Sequence, residues 1–199
     1  MNRLRIILLC VLAACGYGIA HDQITVRVCA EYLSVAHPPL FPTRSPTLLA
    51  LCWGVAATWF VGLAFGAVLA TVAHAGSLPP EPAARLRRPV LALLTVMGLS
   101  ALAAGVAGYG LTRAGLLPVP VAVGRMVPDG KQARFMAVWF AHLTSYLVGI
   151  GGGTFVCFRL WKTRGRPRAL ALLPRGRAAW TRAAAILMVG AAVWWWRFR

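Results

Sequence analysis

The chain has 199 residues, of which 59% are hydrophobic and 13% charged, with 21 lysines and arginines against 4 acids. Its mean hydropathy is +0.70. So apolar a chain cannot belong to the disordered class, and it carries too few charges for an ordinary soluble domain. A formal charge of +17 would suit a nucleic-acid binder, but the composition makes lipid the expected solvent.

A membrane-crossing helix needs about 20 mostly apolar residues. In chain order, residues 4–20 are apolar apart from Arg5, and residues 47–73, 90–112 and 135–158 carry no Asp, Glu, Lys or Arg. A last stretch at 178–196 is apolar but holds Arg182 near one end, where its stem could snorkel to the interface. The expected fold is therefore an all-α membrane bundle, with four core spans and a fifth C-terminal helix that either crosses or lies in the interface. The first run also has two processing readings. Gly18-Ile19-Ala20 would serve as a signal-peptide cleavage site, and Leu12-Ala13-Ala14-Cys15 has the form of a lipobox that would lipidate Cys15.

The connecting segments differ in character. Residues 21–46 and 113–134 are the longer loops, and residues 75–89 form a Pro/Arg-rich turn. The segment 159–182 is strongly basic, which leaves room for a single membrane domain and no separate soluble one. Placing the N-terminus inside puts 13 of the 21 cations on the cytoplasmic side, among them Arg3, Arg5, Arg85, Arg87 and Arg88. That orientation makes 21–46 and 113–134 external. It also places the basic segment against anionic lipid headgroups, and no recognition module points to nucleic acid. Trp194, Trp195 and Trp196 fit an interfacial aromatic belt.

Small residues mark the faces along which the spans pack. Gly54, Thr58, Gly62, Gly66 and Ala70 recur every fourth residue in the second span. Gly98, Ala101, Gly105 and Gly108 share a face in the third, and Gly149, Gly152 and Gly153 continue the row in the fourth. Such rows let helix backbones approach closely, within one chain or, through Gly62 and Gly66, between two copies. Gly16-Tyr17-Gly18 and Gly108-Tyr109-Gly110 end the first and third spans alike, as in a repeated pair of helical hairpins.

The chemistry-bearing residues are scarce and clustered. Residues 21–37 hold His21, Asp22, Glu31, Tyr32 and His37, which include two of the four histidines and two of the four acids. Ile24, Val26 and Val28 alternate with polar neighbours there, which reads as a short extended segment. His142 lies inside the fourth span, with Ser145 and Tyr146 one turn on. An ionisable group within a span needs a partner, and Asp22 or Glu31 folded over the bundle mouth would supply one to His142. A structural hydrogen-bonded cluster and a ligand site both follow from this set. A third reading is a divalent metal or a haem held by His21, His37 and His142, although no H-x-x-x-H or C-x-x-C spacing supports it. His74 sits at the opposite end without a histidine partner, so a two-haem relay across the membrane has no second site.

Other activities lack their parts. Of five cysteines only Cys29 falls in an external loop, so no dithiol is available for disulfide chemistry. Gly151-Gly152-Gly153 has no following Lys-Ser/Thr and is not a phosphate loop. No nucleophile–base motif stands out, and no cofactor is required by the pattern.

The run His21-Asp22-Gln23-Ile24-Thr25, then Glu31-Tyr32 and His37-Pro38, with Ala141-His142, Ser145-Tyr146 and Gly149 later, resembles an uncharacterised group of small bacterial multi-span membrane proteins. The resemblance covers the first four spans. It implies an integral protein of the bacterial inner membrane and carries no activity, cofactor or catalytic residue with it. The reading is a non-enzymatic membrane protein that binds a small ligand or a partner at its external mouth, with a membrane partner or a second copy of the chain as further candidate company in the bilayer.

Overall fold

The computed structural model describes residues 1–164, and the regular structure among them is entirely helical. In order these are α1 (Asn2–Val28), α2 (Glu31–Val35), α3 (Pro46–Ala56), α4 (Trp59–Ala73), α5 (Ala83–Arg113), α6 (Val121–Met126) and α7 (Asp129–Thr163). The expected fifth span at 178–196 and the basic segment beyond Arg164 lie outside the described residues.

Four stretches are long and apolar enough to cross a membrane: α1, the α3–α4 pair, α5 and α7. Leu4, Leu12, Leu63, Leu99, Leu102, Leu147 and Ile150 are exposed along their outer faces, as helices solvated by lipid require. The protein is thus an all-α, multi-pass membrane helix bundle. α1 packs against α3 and α4, α5 packs along α7, and an α1–α5 contact joins the two hairpins. This is the hairpin order of the Gly-Tyr-Gly repeat, yet the two tyrosines part company. Tyr17 lies over Gly98 of α5, whereas Tyr109 is exposed.

Three local expectations are corrected. The segment after residue 20 is not extended, because α1 continues through it to Val28. Asp22, Thr25, Val26 and Cys29 are all buried, and their i, i+3, i+4, i+7 spacing is that of one helix face. The Pro/Arg-rich turn is shorter than 75–89, since α5 starts at Ala83 with Pro82 as its cap and carries Pro89 inside. Proline removes one backbone donor there, but Leu86 and Val90 on either side are buried and hold the turn in place. The second span is not continuous. It breaks at Ala57–Thr58, where the Thr58 hydroxyl donates to the Gly54 carbonyl one turn back, a bond that bends helices.

The glycine row of the second span is consumed inside the chain. A Cβ on Gly62 would meet the backbone of Cys10 and Val11 at 2.7–2.8 Å, and one on Gly66 would meet Ile7 at 2.9 Å. The Gly62–Gly66 face is therefore covered by α1, which removes it as a surface for a second copy. In the other hairpin Gly105 faces the Ala137 carbonyl and Gly149 faces Met97, while Gly153 meets Phe65 of α4.

Both ends of the bundle are closed. At one end Leu33 of α2 and Val123 and Val127 of the α6 region pack onto Trp53, Phe135 and Val138. Burial of apolar groups from water stabilises this cap by roughly 1.5–3 kcal/mol for each large side chain fully covered. At the other end Asn2 Nδ2 donates to the Glu81 carbonyl at 2.8 Å, and Ala83 N–H donates back to Asn2 Oδ1 at 3.2 Å.

Candidate functional site

The site forms where α1 and α7 approach each other beneath the cap. Tyr17, His21 and Asp22 lie on successive turns of α1, and His142, Ser145 and Tyr146 lie on α7. Spacing of three to five residues along each helix keeps these groups on facing sides. Asp22, His142 and Ser145 are buried, at 6%, 6% and 4% exposure.

His142 is the centre of the arrangement. Its Nε2 lies 3.2 Å from Asp22 Oδ1. Its Nδ1 lies 2.9 Å from the Val138 carbonyl oxygen of its own helix and 3.3 Å from His21 Nε2. One turn deeper, the Tyr17 hydroxyl and Ser145 Oγ share a hydrogen bond of 2.7 Å. These contacts tie α1 to α7 by polar bonds in the buried interior of the bundle, where unsatisfied groups cost several kcal/mol each, as an order of magnitude. Among the described residues every buried side-chain nitrogen or oxygen has a hydrogen-bond partner.

Aromatic rings wall the site on the loop side. The Tyr32 ring lies 4.4 Å from the His142 ring, centroid to centroid, and 5.4 Å from Phe135. His37 packs on Trp53 at 4.7 Å and its Nδ1 lies 3.0 Å from the Tyr32 carbonyl. Burial holds the His37 imidazole below its usual range, an effect that this carbonyl partly offsets. Burial likewise pushes the Tyr32 hydroxyl far above the ordinary phenol range, so it stays protonated.

A cavity of about 40 Å³ remains between these groups, lined by Tyr17, His21, Asp22, His37, Trp53 and Ser145 among others. It has room for roughly three water molecules. Thr58 and Ala57 also line it, so the break between α3 and α4 falls where the second span faces a polar cavity.

Seven of the eight residues singled out in the sequence converge here: His21, Asp22, Tyr32, His37, His142, Ser145 and Tyr146. Glu31 does not. Its carboxylate accepts from Lys131 of α7, an ion pair on the outer rim, and Lys131 is the main reason its pKa falls below the usual value. The Cys29 thiol donates to Glu31 Oε2 at 3.4 Å, and burial followed by that carboxylate pushes it up to about 11. Of the two acids considered as partners for His142, Asp22 is the one in place.

The metal reading fares poorly in geometry. Among the described residues no group of three or more His, Cys, Asp or Glu side chains is arranged to hold a metal ion. His21 meets His142 edge-on at 4.3 Å, and the His37 Nδ1 is directed to a backbone carbonyl. A porphyrin has no fit in a cavity of about 40 Å³.

Sequence reasoning missed Tyr17, Trp53 and Thr58 as members of the site. Tyr17 precedes His21 by four residues, so reading α1 as a helix through Asp22 would have placed the two together; Tyr17 and His21 do stack, at 5.6 Å. Trp53 and Thr58 carried no such signal.

With the fold and site in view, the class is plain: a multi-pass, all-α membrane bundle with a buried polar cluster near one end. Comparison with family models, curated proteins and solved structures gives no match.

Proposed function

We propose that the protein sits in a bacterial inner membrane with its N-terminus inside and binds a small hydrogen-bonding ligand in this cavity, at its extracytoplasmic end. The single observation that carries the reading is a buried Asp22–His142 pair and a Tyr17–Ser145 hydrogen bond on the wall of one cavity. Charged and polar groups are expensive at membrane depth and are retained there chiefly at sites of function.

The distribution of basic residues supports the orientation: among the described residues eight of 14 cations lie on the side of Asn2 and the 74–82 turn, and the sequence beyond Arg164 is strongly basic. Anionic headgroups are the natural partners of that side. The resemblance to small bacterial multi-span proteins supports the membrane assigned.

Two measurements test this. Reporter fusions at residues 35 and 78 should report opposite sides, with 35 outside; the same side for both breaks the topology. Thermal unfolding of detergent-purified protein should be raised by at least one of a panel of small solutes, namely imidazole, formamide, ammonium and short carboxylic acids. The gain should vanish in His142→Gln. Solutes that shift both proteins equally, or neither, would count against a ligand site.

A further inference from the structure

Both ring nitrogens of His142 face hydrogen-bond acceptors, the Val138 carbonyl at 2.9 Å and the Asp22 carboxylate at 3.2 Å. A carbonyl only accepts, and so does an ionised carboxylate. In this arrangement Nδ1 carries a hydrogen, and a second proton lies between Nε2 and Oδ1, on one atom or the other. His21 Nε2, 3.3 Å from the protonated Nδ1, then presents its lone pair, which puts the His21 hydrogen on Nδ1.

A second set of hydrogens fits the same heavy atoms. When His142 carries a hydrogen on Nε2 alone, it still donates to Asp22. Its Nδ1 lone pair then accepts from a hydrogen on His21 Nε2, and the bond to Val138 is lost. Donating to Val138 and accepting from His21 are mutually exclusive for His142 Nδ1, and the two arrangements differ by one proton in the cluster.

We propose that Asp22, His142 and His21 form a proton-binding site, in which His142 Nδ1 switches between donating to Val138 when the site is loaded and accepting from His21 when it is empty. This rests on reading the cavity as a ligand site and names its ligand as a proton. Unloading balances as follows. His142 gives its Nδ1 proton to His21 Nε2, and His21 gives its own Nδ1 proton to water in the cavity. The cluster goes from net neutral, with an imidazolium beside a carboxylate, to a single negative charge. His21 is the exchanging residue because it is half-buried and lines the cavity, whereas Asp22 and His142 are buried.

The other titratable groups around the site are Tyr17 on α1, Tyr32 on α2, His37 after it and Tyr146 on α7. Burial keeps the Tyr32 hydroxyl protonated, and it holds His37 below its usual range, so His37 gains its proton at the acid end as a separate event. No titratable side chain of α3, α4 or α5 lines the cavity, and Glu31 and Lys131 neutralise each other on the rim.

Nitrogen-15 NMR of the full chain, labelled at histidine and held in lipid nanodiscs, tests this over about pH 5 to 9. The His142 Nδ1 and His21 Nε2 signals should change protonation together at one midpoint. Asp22→Asn should move that midpoint down by about one pH unit or more, tenfold in proton concentration, because it removes the charge that favours the imidazolium. His21→Phe should move the His142 midpoint up, because the empty state loses its donor. The wild-type titration needs no variant to fold. A His142 fixed in one state while His21 titrates alone overturns the proposal, as does an unchanged midpoint in Asp22→Asn. Solute stabilisation without the joint titration refutes the proton site alone; joint titration without solute stabilisation leaves the proton as the sole ligand.

Discussion

Gly18 of α1 lies directly against the Gly54 carbonyl of α3, and a Cβ on Gly54 would fall 2.6 Å from both the Cα and the N of Ile19. At Gly54 every near neighbour is backbone, with no flexible side chain to yield, while Gly18 also meets the Thr58 side chain. The crossing lies one turn from His21 and Asp22 and one turn from Thr58, so it sets the depth and phase at which the site residues meet.

Gly54→Leu should therefore destabilise the bundle by roughly 1–3 kcal/mol, the usual cost of overpacking. Gly16→Ala on the same helix should be neutral or mildly stabilising, since nothing lies within 4 Å of its Cβ position and alanine is the better helix former. Thermal unfolding in detergent separates the two, and equal losses would mean that the crossing is not the constraint.

Arg164 anchors the opposite end. Its side chain is 2% exposed and donates from Nε to the Ala75 carbonyl at 2.8 Å and from Nη2 to Leu78 at 2.8 Å and Pro79 at 3.1 Å. Gly76, at φ +84°, makes the turn that presents these carbonyls. Lysine lacks the planar fork, so Arg164→Lys should cost about 2 kcal/mol, on the scale of a lost charged hydrogen bond. Limited proteolysis at residues 75–80 should accelerate in the variant. Wild-type rates would show that the turn holds without the fork.

The rim pair predicts a modest acid dependence. Lys131 holds the Glu31 carboxyl below its ordinary 4.5, so the folded state favours the ionised form. This contribution is complete above about pH 4.5 and is lost as the pH falls through the depressed value. The Lys131 side chain is 50% exposed, which limits the effect to about 0.5 kcal/mol and makes it sensitive to salt. Glu31→Gln should flatten the acid limb of the stability profile by that amount. A wild-type acid limb in Glu31→Gln would refute the assignment.

The cap should loosen earlier in the same titration. Burial depresses His37 below its ordinary 6.5, so protonation favours release of the ring from Trp53. The stabilisation is complete above about pH 6.5 and is lost as the pH falls through the lowered value. Tryptophan emission should change in that window in the wild type and not in Trp53→Phe. His37→Phe keeps the stacking without the charge and should abolish the transition; its persistence there would assign the change elsewhere.

The sequence by itself determined the all-α membrane class, the four spans within residues 1–164 and the end of the bundle that gathers the polar residues. Those properties are sums over local composition, because hydrocarbon selects for length and apolarity of each segment whatever its neighbours are. It also singled out His142, since one imidazole in an apolar span is anomalous without any fold. Tertiary structure alone decided that Asp22, rather than Glu31, meets His142. A carboxylate's partner depends on helix phase, about 100° per residue, and on how closely two backbones approach. The continuation of α1 past Ala20 turns Asp22 inward, and the glycine crossing brings it within reach. Alternating β-branched residues concealed that continuation, because isoleucine and valine suit a strand in water yet are tolerated in a helix whose other faces are packed. The break at Thr58 and the burial of Arg164 were likewise decided by what lies opposite each of them in the fold.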